Sequence, residues 1–322
     1  MFKHFIAAGF AALALAQPAA AQSEYPNKTI RLLVPFAPGG STDTLARIMA
    51  EQLQGELGQT VIVENKPGAG GNIGGDLVAK SPADGYTVLV SAAGMIVINP
   101  SLYASMPYDP LTDLAPVTLL ASEHSLMAVP ASLPIKSVKD LIAYAKSKPK
   151  DVSYGSPGNG TPAHLGGELF NQLAGTTLAH IPYKGSGPAI NDLIAGQTTM
   201  MVDNMPALLP HVQSGRLRAI AVASEKRVAT VPDVQTAIEA GLKGYVITAW
   251  KGLMVPAGTP RPVIDKLHAA AVKVLAKPDV RKRLLDLGAE PAGTTPEQYA
   301  KQIKEETASW AALVKSTGTK MN

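Results

Sequence analysis

The sequence predicts an α/β protein of two lobes, and three observations carry that prediction. Short strands rich in β-branched residues alternate with amphipathic helices over residues 29–223, the pattern of βαβ units whose parallel strands are covered on both faces. After about Lys251 the pattern changes to helices only, which must pack on a sheet built earlier in the chain. The length of 322 residues exceeds that of a single domain of ordinary size.

Taken in order, residues 29–35 form the first strand. Residues 41–57 follow as a helix whose apolar positions Leu45, Ile48, Met49, Leu53 and Leu57 recur at helical spacing. Residues 61–64 are a second strand, a glycine-rich turn leads into a helix around 73–80, and 86–90 are a third strand. Strand–helix pairs then follow at 126–129 with 138–147, 152–154 with 162–174, 178–182 with 188–195, and 198–202 with 207–213. A strand at 217–223 closes the series. The late helices, 262–276, 279–287 and 296–314, each carry proline or an acid in or beside the first turn. On this reading the chain leaves lobe 1 near residue 120 and returns near 250. Lobe 1 is then residues 22–122 with 249–322, and lobe 2 is 123–248, with a cleft between them where small ligands are favoured.

Residues 1–21 read as a secretory signal peptide. Lys3 supplies the basic start, and an apolar run from Phe5 to Ala16 follows, too short to span a bilayer. Pro18 then breaks the run, and Ala19 and Ala21 occupy the small-residue positions before cleavage at Gln22. Export to the periplasm as a soluble chain is the expectation. No cysteine occurs, which excludes disulfides, thiolate metal sites, cysteine nucleophiles and a lipid-bearing cysteine.

Without residues 1–21 the chain keeps 28 Lys+Arg against 25 Asp+Glu, a net charge of +3. The basic residues are scattered, and only 5% of residues are aromatic, so nucleic-acid binding is a poor reading. Enzyme classes fare no better. Gly158-x-Gly160-x-x-Ala163 fits a loose dinucleotide fingerprint, yet the strand before it is polar and no acid lies about 20 residues on. The phosphate loop G-x-x-x-x-G-K-[ST] and the nucleophile elbow G-x-S-x-G are both absent, and Ser147-x-x-Lys150 sits at a helix end beside Pro149. The histidines show no H-x-x-x-H pair for zinc. No metal or cofactor is expected. A secreted hydrolase remains the rival reading, and it would have to gather its base from scattered residues.

The chemistry lies in the loops at the carboxyl ends of the strands. The first strand runs into Phe36-Ala37-Pro38-Gly39-Gly40-Ser41, the third into Ser91-Ala92-Ala93-Gly94. In lobe 2 the corresponding loops are Ser156-Pro157-Gly158-Asn159-Gly160-Thr161 and Tyr183-Lys184-Gly185-Ser186. Such loops open helices whose first amides are unpaired and carry about half a positive charge, and glycine lets an anion approach them closely. Ligands of open α/β sheets sit at this end of the strands. A small carboxylate fits two facing sets of these loops better than a nucleotide. Taken singly the residues read blandly. Gly39-Gly40 is a tight turn, His164 a structural histidine, Lys184 a solvated side chain, and Asp203 a cap for the helix beginning near Asn204. Pairing of Asp203 with a ligand ammonium or hydroxyl is the less favoured alternative.

Several segments, in this order, resemble the Bug-type receptors of tripartite tricarboxylate transport systems. They include Val34-Pro-Phe-Ala-Pro-Gly-Gly-Ser-Thr-Asp43, Glu64-Asn-Lys-Pro-Gly-Ala-Gly-Gly-Asn-Ile-Gly74, Ser81-Pro-Ala-Asp-Gly-Tyr-Thr87, Tyr154-Gly-Ser-Pro-Gly-Asn-Gly-Thr161, Pro182-Tyr-Lys-Gly185 and Pro256-Ala-Gly-Thr-Pro260. The resemblance implies a type II-like periplasmic binding protein, a monomer, with lobes joined by crossing strands that close over a di- or tricarboxylate, an acidic amino acid or an aromatic carboxylate. It implies no catalysis, and partnership with the membrane components of a tripartite transporter or with a sensor kinase. The ligand positions it implies are Phe36, Pro38, Gly39, Gly40, Ser41, Ser91, Ala92 and Ala93 in lobe 1. In lobe 2 they are Ser156, Asn159, Gly160, Thr161 and Asp203, with His164, Lys184 and Lys251 as further candidates. Ala92-Ala93-Gly94-Met95 is less polar than the family's usual loop, which favours a more apolar ligand. Lys251 stands where an uncharged residue is usual, and is expected to bias the cleft toward anions.

Overall fold

The computed structural model describes residues 25–317; the expected signal peptide lies outside them. The chain begins with β1 (Ile30–Val34), α1 (Ser41–Leu57), β2 (Val61–Asn65), α2 (Asn72–Ala79), β3 (Thr87–Ala92) and α3 (Asn99–Leu102). A long strand, β4 (Leu114–Pro130), leads to α4 (Val138–Ser147), β5 (Ser153–Ser156), α5 (Pro162–Ala174), β6 (Ala179–Pro182), α6 (Ser186–Ile194), β7 (Met200–Asn204), α7 (Met205–Gln213) and β8 (Leu217–Val222). The return is β9 (Thr248–Pro256), α8 (Arg261–Ala276), α9 (Pro278–Asp286), β10 (Ala289–Pro291) and α10 (Pro296–Thr317).

The strands follow the order β2-β1-β3-β9-β4-β7-β5-β6, with β8 and β10 also paired to β4. β1 is parallel to β2 and β3, and β5 is parallel to β6 and β7. Between these two parallel sets every pairing is antiparallel. β4 serves both halves. Residues Leu114 to His124 pair with β9, with β10 joined at Ala121 to Glu123, and from Ser125 onward the partners are β7 and β8. Its 17 residues extend over roughly 55 Å at the usual rise.

Each half buries both faces of its sheet. Ile30, Leu32, Val34, Val88 and Val90 enter the core under α1 and α8, whereas the alternate residues Leu33 and Leu89 enter the core with Tyr299 and Ile303 of α10. In β4, Met127 and Val129 join one core with Phe170, and Leu126 and Ala128 join another with Leu193 and Leu208. Strand side chains alternate between faces, so strands covered on both sides read as continuous apolar runs. Local signals set the helix ends. Gly58 at φ 65° takes the left-handed turn after α1 and bonds back to the Gln54 carbonyl. Ser137 caps α4 by accepting the Asp140 amide, and Thr161 caps α5 by accepting the His164 amide.

Two expectations need correction. The sheets are mixed, not wholly parallel, and strands continue beyond Lys251, because β9 runs on to Pro256 and β10 lies between α9 and α10. The strand expected at 126–129 is the tail of β4, whose earlier part is interrupted by a register shift between Pro116 and Thr118 and carries the buried Glu123.

Ser137→Ala should lower stability by about 1 kcal/mol through the lost cap, and Phe170→Ala, wholly buried, by about 3–5 kcal/mol. Urea unfolding followed by circular dichroism ranks the two; equal losses would mean that Phe170 is not a core anchor.

Candidate functional site

The cleft is shut, with the two halves in contact across it. The Ala37 amide donates to the Lys184 carbonyl at 2.9 Å, and Asn204 Nδ2 donates to Ser41 Oγ at 3.1 Å. A Cβ placed on Gly187 would strike the Pro38 carbonyl, and one on Gly160 would strike Asn99 Oδ1. Between these seams lies a cavity lined by residues of both halves.

On the lobe 1 side, α1 points its N-terminus at the cavity. The helix ladder begins with the Thr44 amide donating to the Gly40 carbonyl at 2.9 Å, so the amides of Ser41 to Asp43 lie outside it and carry the positive end of the helix dipole. Gly39 turns the loop at φ 88°, and its amide donates to Asp43 Oδ2 at 3.1 Å. Asp43 is gripped from outside the cavity by Arg47, at 2.9 and 3.0 Å. Asn65 Nδ2 also donates to it, and to the Phe36 carbonyl, each at 3.0 Å. Burial alone would raise the Asp43 carboxyl, but these hydrogen bonds outweigh it and hold it below the usual carboxylate range. Asp43 is thus a brace for the loop, and leaves Phe36, Gly40, Ser41 and Thr42 to line the cavity.

The lobe 2 side is organised around the N-terminus of α5. Thr161 Oγ1 donates to the Gly158 carbonyl at 2.7 Å, and Thr161, Pro162 and Ala163 line the cavity. Behind this wall His164 and His180 stack at 4.2 Å between ring centroids, and His180 Nε2 lies 2.7 Å from Ser156 Oγ. Burial lowers both imidazoles, His180 to about 3 with the neighbouring His164 adding to the effect, so both are neutral at pH 7. The Ser156 hydroxyl is wholly buried and also accepts the Gly158 amide at 3.2 Å. This serine–histidine contact props the loop from outside the cavity lining.

The floor is charged. Lys251 Nζ pairs with Glu123 Oε2 at 2.8 Å, with side-chain exposures of 3% and 0%. The two sit on the crossing strands β9 and β4. Asp203, at the end of β7, accepts the Asn204 amide through Oδ1 at 2.8 Å. Its Oδ2 is buried and finds no hydrogen-bond partner among the described residues. Burial pushes Asp203 up to about 6. The nearby Ser186 hydroxyl, the Asn204 amide and Lys251 oppose the rise, and Glu123 adds to it.

Of the positions singled out from sequence, Phe36, Gly40, Ser41, Ala92, Ala93, Thr161, Asp203 and Lys251 line the cavity. Pro38 and Gly39 are exposed, and Asn159 and Gly160 pack their backbones against lobe 1 at the seam. Ser91 turns away, its hydroxyl lying 3.0 Å from the Gly252 carbonyl and 2.9 Å from the Tyr299 hydroxyl. Lys184 is exposed and touches the other lobe through its carbonyl. His164 accepts the Gly160 amide on Nδ1 at 3.3 Å. Asp203 accepts the amide of Asn204, the N-cap residue of α7, and also lines the cavity. Lys251 does not stand alone, because Glu123 compensates its charge. Sequence reasoning missed Ser186 and Asn204, although Ser186 lies in a loop it had marked.

Two α/β halves joined by crossing strands, with a polar-floored cleft between them, define a two-lobed binding protein of the periplasmic type. Residues 45–319 match the family described as tripartite tricarboxylate transporter family receptor, and the chain belongs to that family, as a Bug-type receptor. The periplasmic binding protein BugD has a structure similar to it, with a TM-score of 0.89 at 38% identity over 92% of this chain and 100% of that one. So does Rpa4515 of R. palustris with adipate, at 0.88 and 37% over 91% and 98% of the two chains. MatC of Rhodopseudomonas palustris with bound malate superposes at 0.86 and 35%, over 90% and 100%.

Two outcomes follow for the seams and the floor. Gly187→Ala should weaken ligand binding by about five- to 150-fold, the equivalent of 1–3 kcal/mol of overpacking in the shut state, while ligand-free unfolding shifts less; calorimetric titration that finds unchanged affinity would refute a contact needed for closure. Glu123→Gln leaves the Lys251 charge buried alone and should cost about 3–5 kcal/mol, whereas the double change Glu123→Met with Lys251→Met should be near neutral, both read by urea unfolding.

Proposed function

We propose that this chain is an exported receptor that captures a small carboxylate in the periplasm, closes over it, and presents the shut form to the membrane components of a tripartite tricarboxylate transporter. The observation that carries this reading is the N-terminus of α1 aimed into the cavity. Backbone amides and a helix dipole there offer an anion site that needs no metal and no arginine. The adipate and malate held by two of the similar structures support a carboxylate as the ligand class. The lobes divide, on this reading, at 122/123 and 248/249, close to where β4 passes from its pairing with β9 to its pairing with β7 and β8. Closure is driven by a ligand that touches both walls and so binds the shut form more tightly than the open one. The serine–histidine contact of Ser156 with His180 lies behind the wall and outside the cavity lining, which favours capture over hydrolysis.

Thermal unfolding of the mature protein, freed of host ligand by denaturation and refolding, tests the reading against carboxylates with their amides and with sugars as controls. A true ligand at 100 times its Kd should add about 2.7 kcal/mol to stability. Stabilisation by a nucleotide or sugar, with none by any acid, would overturn it.

A further inference from the structure

We propose that the ligand carries a carboxylate at one end only, and that its other end is a hydrogen-bond donor, an ammonium in the first instance, received by Asp203. The inference rests on the carboxylate-receptor reading and narrows its ligand class.

The two ends of the cavity ask for opposite chemistry. The α1 end offers amide donors and positive dipole. The floor offers an acceptor: Asp203 Oδ2 is buried, unpartnered among the described residues, and belongs to a side chain that lines the cavity. A buried acceptor left open is costly, and a donor from the ligand removes that cost. Lys251 could have made the floor cationic, but Glu123 holds it at 2.8 Å. With Asp203 ionised the three formal charges therefore sum to −1. A second ligand carboxylate would place three negative groups against one lysine inside the protein, where like charges repel strongly. An ammonium instead balances the floor. Ser186 and Asn204, which also line the cavity beside Asp203, supply neutral polar groups compatible with a donor.

The sign of the pH response follows. The charged groups acting on Asp203 are Lys251 from β9 and Glu123 from β4; α6 brings Ser186 and α1 brings Ser41, neither of which titrates near neutrality. In the empty cleft Asp203 holds its proton up to about pH 6. An ammonium favours the ionised form, so its binding releases that proton and tightens as pH rises through about 6. A dicarboxylate favours the protonated form and would tighten as pH falls.

Isothermal titration of the refolded mature protein with length-matched pairs tests this, using 3-aminopropanoate against succinate and 5-aminopentanoate against adipate, at pH 5 and pH 7.5. The expected result is that one amino acid of the series binds about tenfold or more tightly than its dicarboxylate, with affinity higher at pH 7.5. Asp203→Asn should erase most of that preference, and the pH series on the unaltered protein stands whether or not the variant folds. Tighter binding of a dicarboxylate, strengthening toward pH 5, would overturn the inference and leave the receptor reading intact. Failure of every carboxylate to bind would remove that reading, and this inference with it.

Discussion

Both halves of the molecule hang on the antiparallel pairing of β4 with β9. β4 gives its first eleven residues to the lobe 1 sheet and the rest to lobe 2, and β9 accompanies it from Thr248. Among the described residues β4 is the strand that pairs in both sheets, while β9 pairs only on the lobe 1 side. The four hydrophobic cores divide accordingly, two on each side of the handover. Because the bridge is extended backbone, small torsional changes there can move one compact body against the other while each core stays intact.

The same crossing point sets the electrostatics. Glu123 and Lys251 are buried where the strands cross, and Asp203 stands just above them at the end of β7. A buried ion pair contributes little net stability compared with a well-packed apolar pair, so its presence at the floor of a cleft calls for another reason. By pairing with the lysine, Glu123 compensates the cation at the floor, and among the described residues its own Oε1 and Asp203 Oδ2, which belongs to a cavity-lining side chain, are left as buried acceptors without partners. The lobe 1 rim is the converse, since Asp43 is drawn outward by Arg47 and Asn65 and takes its negative charge away from the amides of α1. In both places an acid and a base neutralise each other beside the cavity, and what faces the ligand is decided by which polar atoms remain.

Much of this was legible in the sequence, for reasons tied to particular residues. α1, α4 and α5 could be read to the residue because glycine, serine and threonine–proline signals mark their ends. β4 and β9 were not, because Pro116, Glu123, Lys251 and Gly252 break the apolar runs that announce a strand. The loops bearing Gly40, Ser41, Ala92, Ala93 and Thr161 were found through strand-end glycines and hydroxyls. Ser91 was misread by a single residue: β3 continues to Ala92, so parity turns Ser91 toward Tyr299 and Ala92 toward the cavity. The partner of Lys251 could not be read, since Glu123 lies 128 positions away and only the crossing of the strands brings them together.

The seams carry a different lesson. Where Gly187 meets Pro38 and Gly160 meets Asn99, lobe closes on lobe through backbone and the smallest side chains. Ser41 and Asn204 do both, bonding across the seam and lining the cavity, but most of the lining comes from other positions on the same loops. Shutting and choosing are therefore assigned in large part to separate residues. The wall and floor can be exchanged, one side chain at a time, while the edges that meet on closing keep their fit. A scaffold partitioned in this way can acquire a new cargo without relearning how to close.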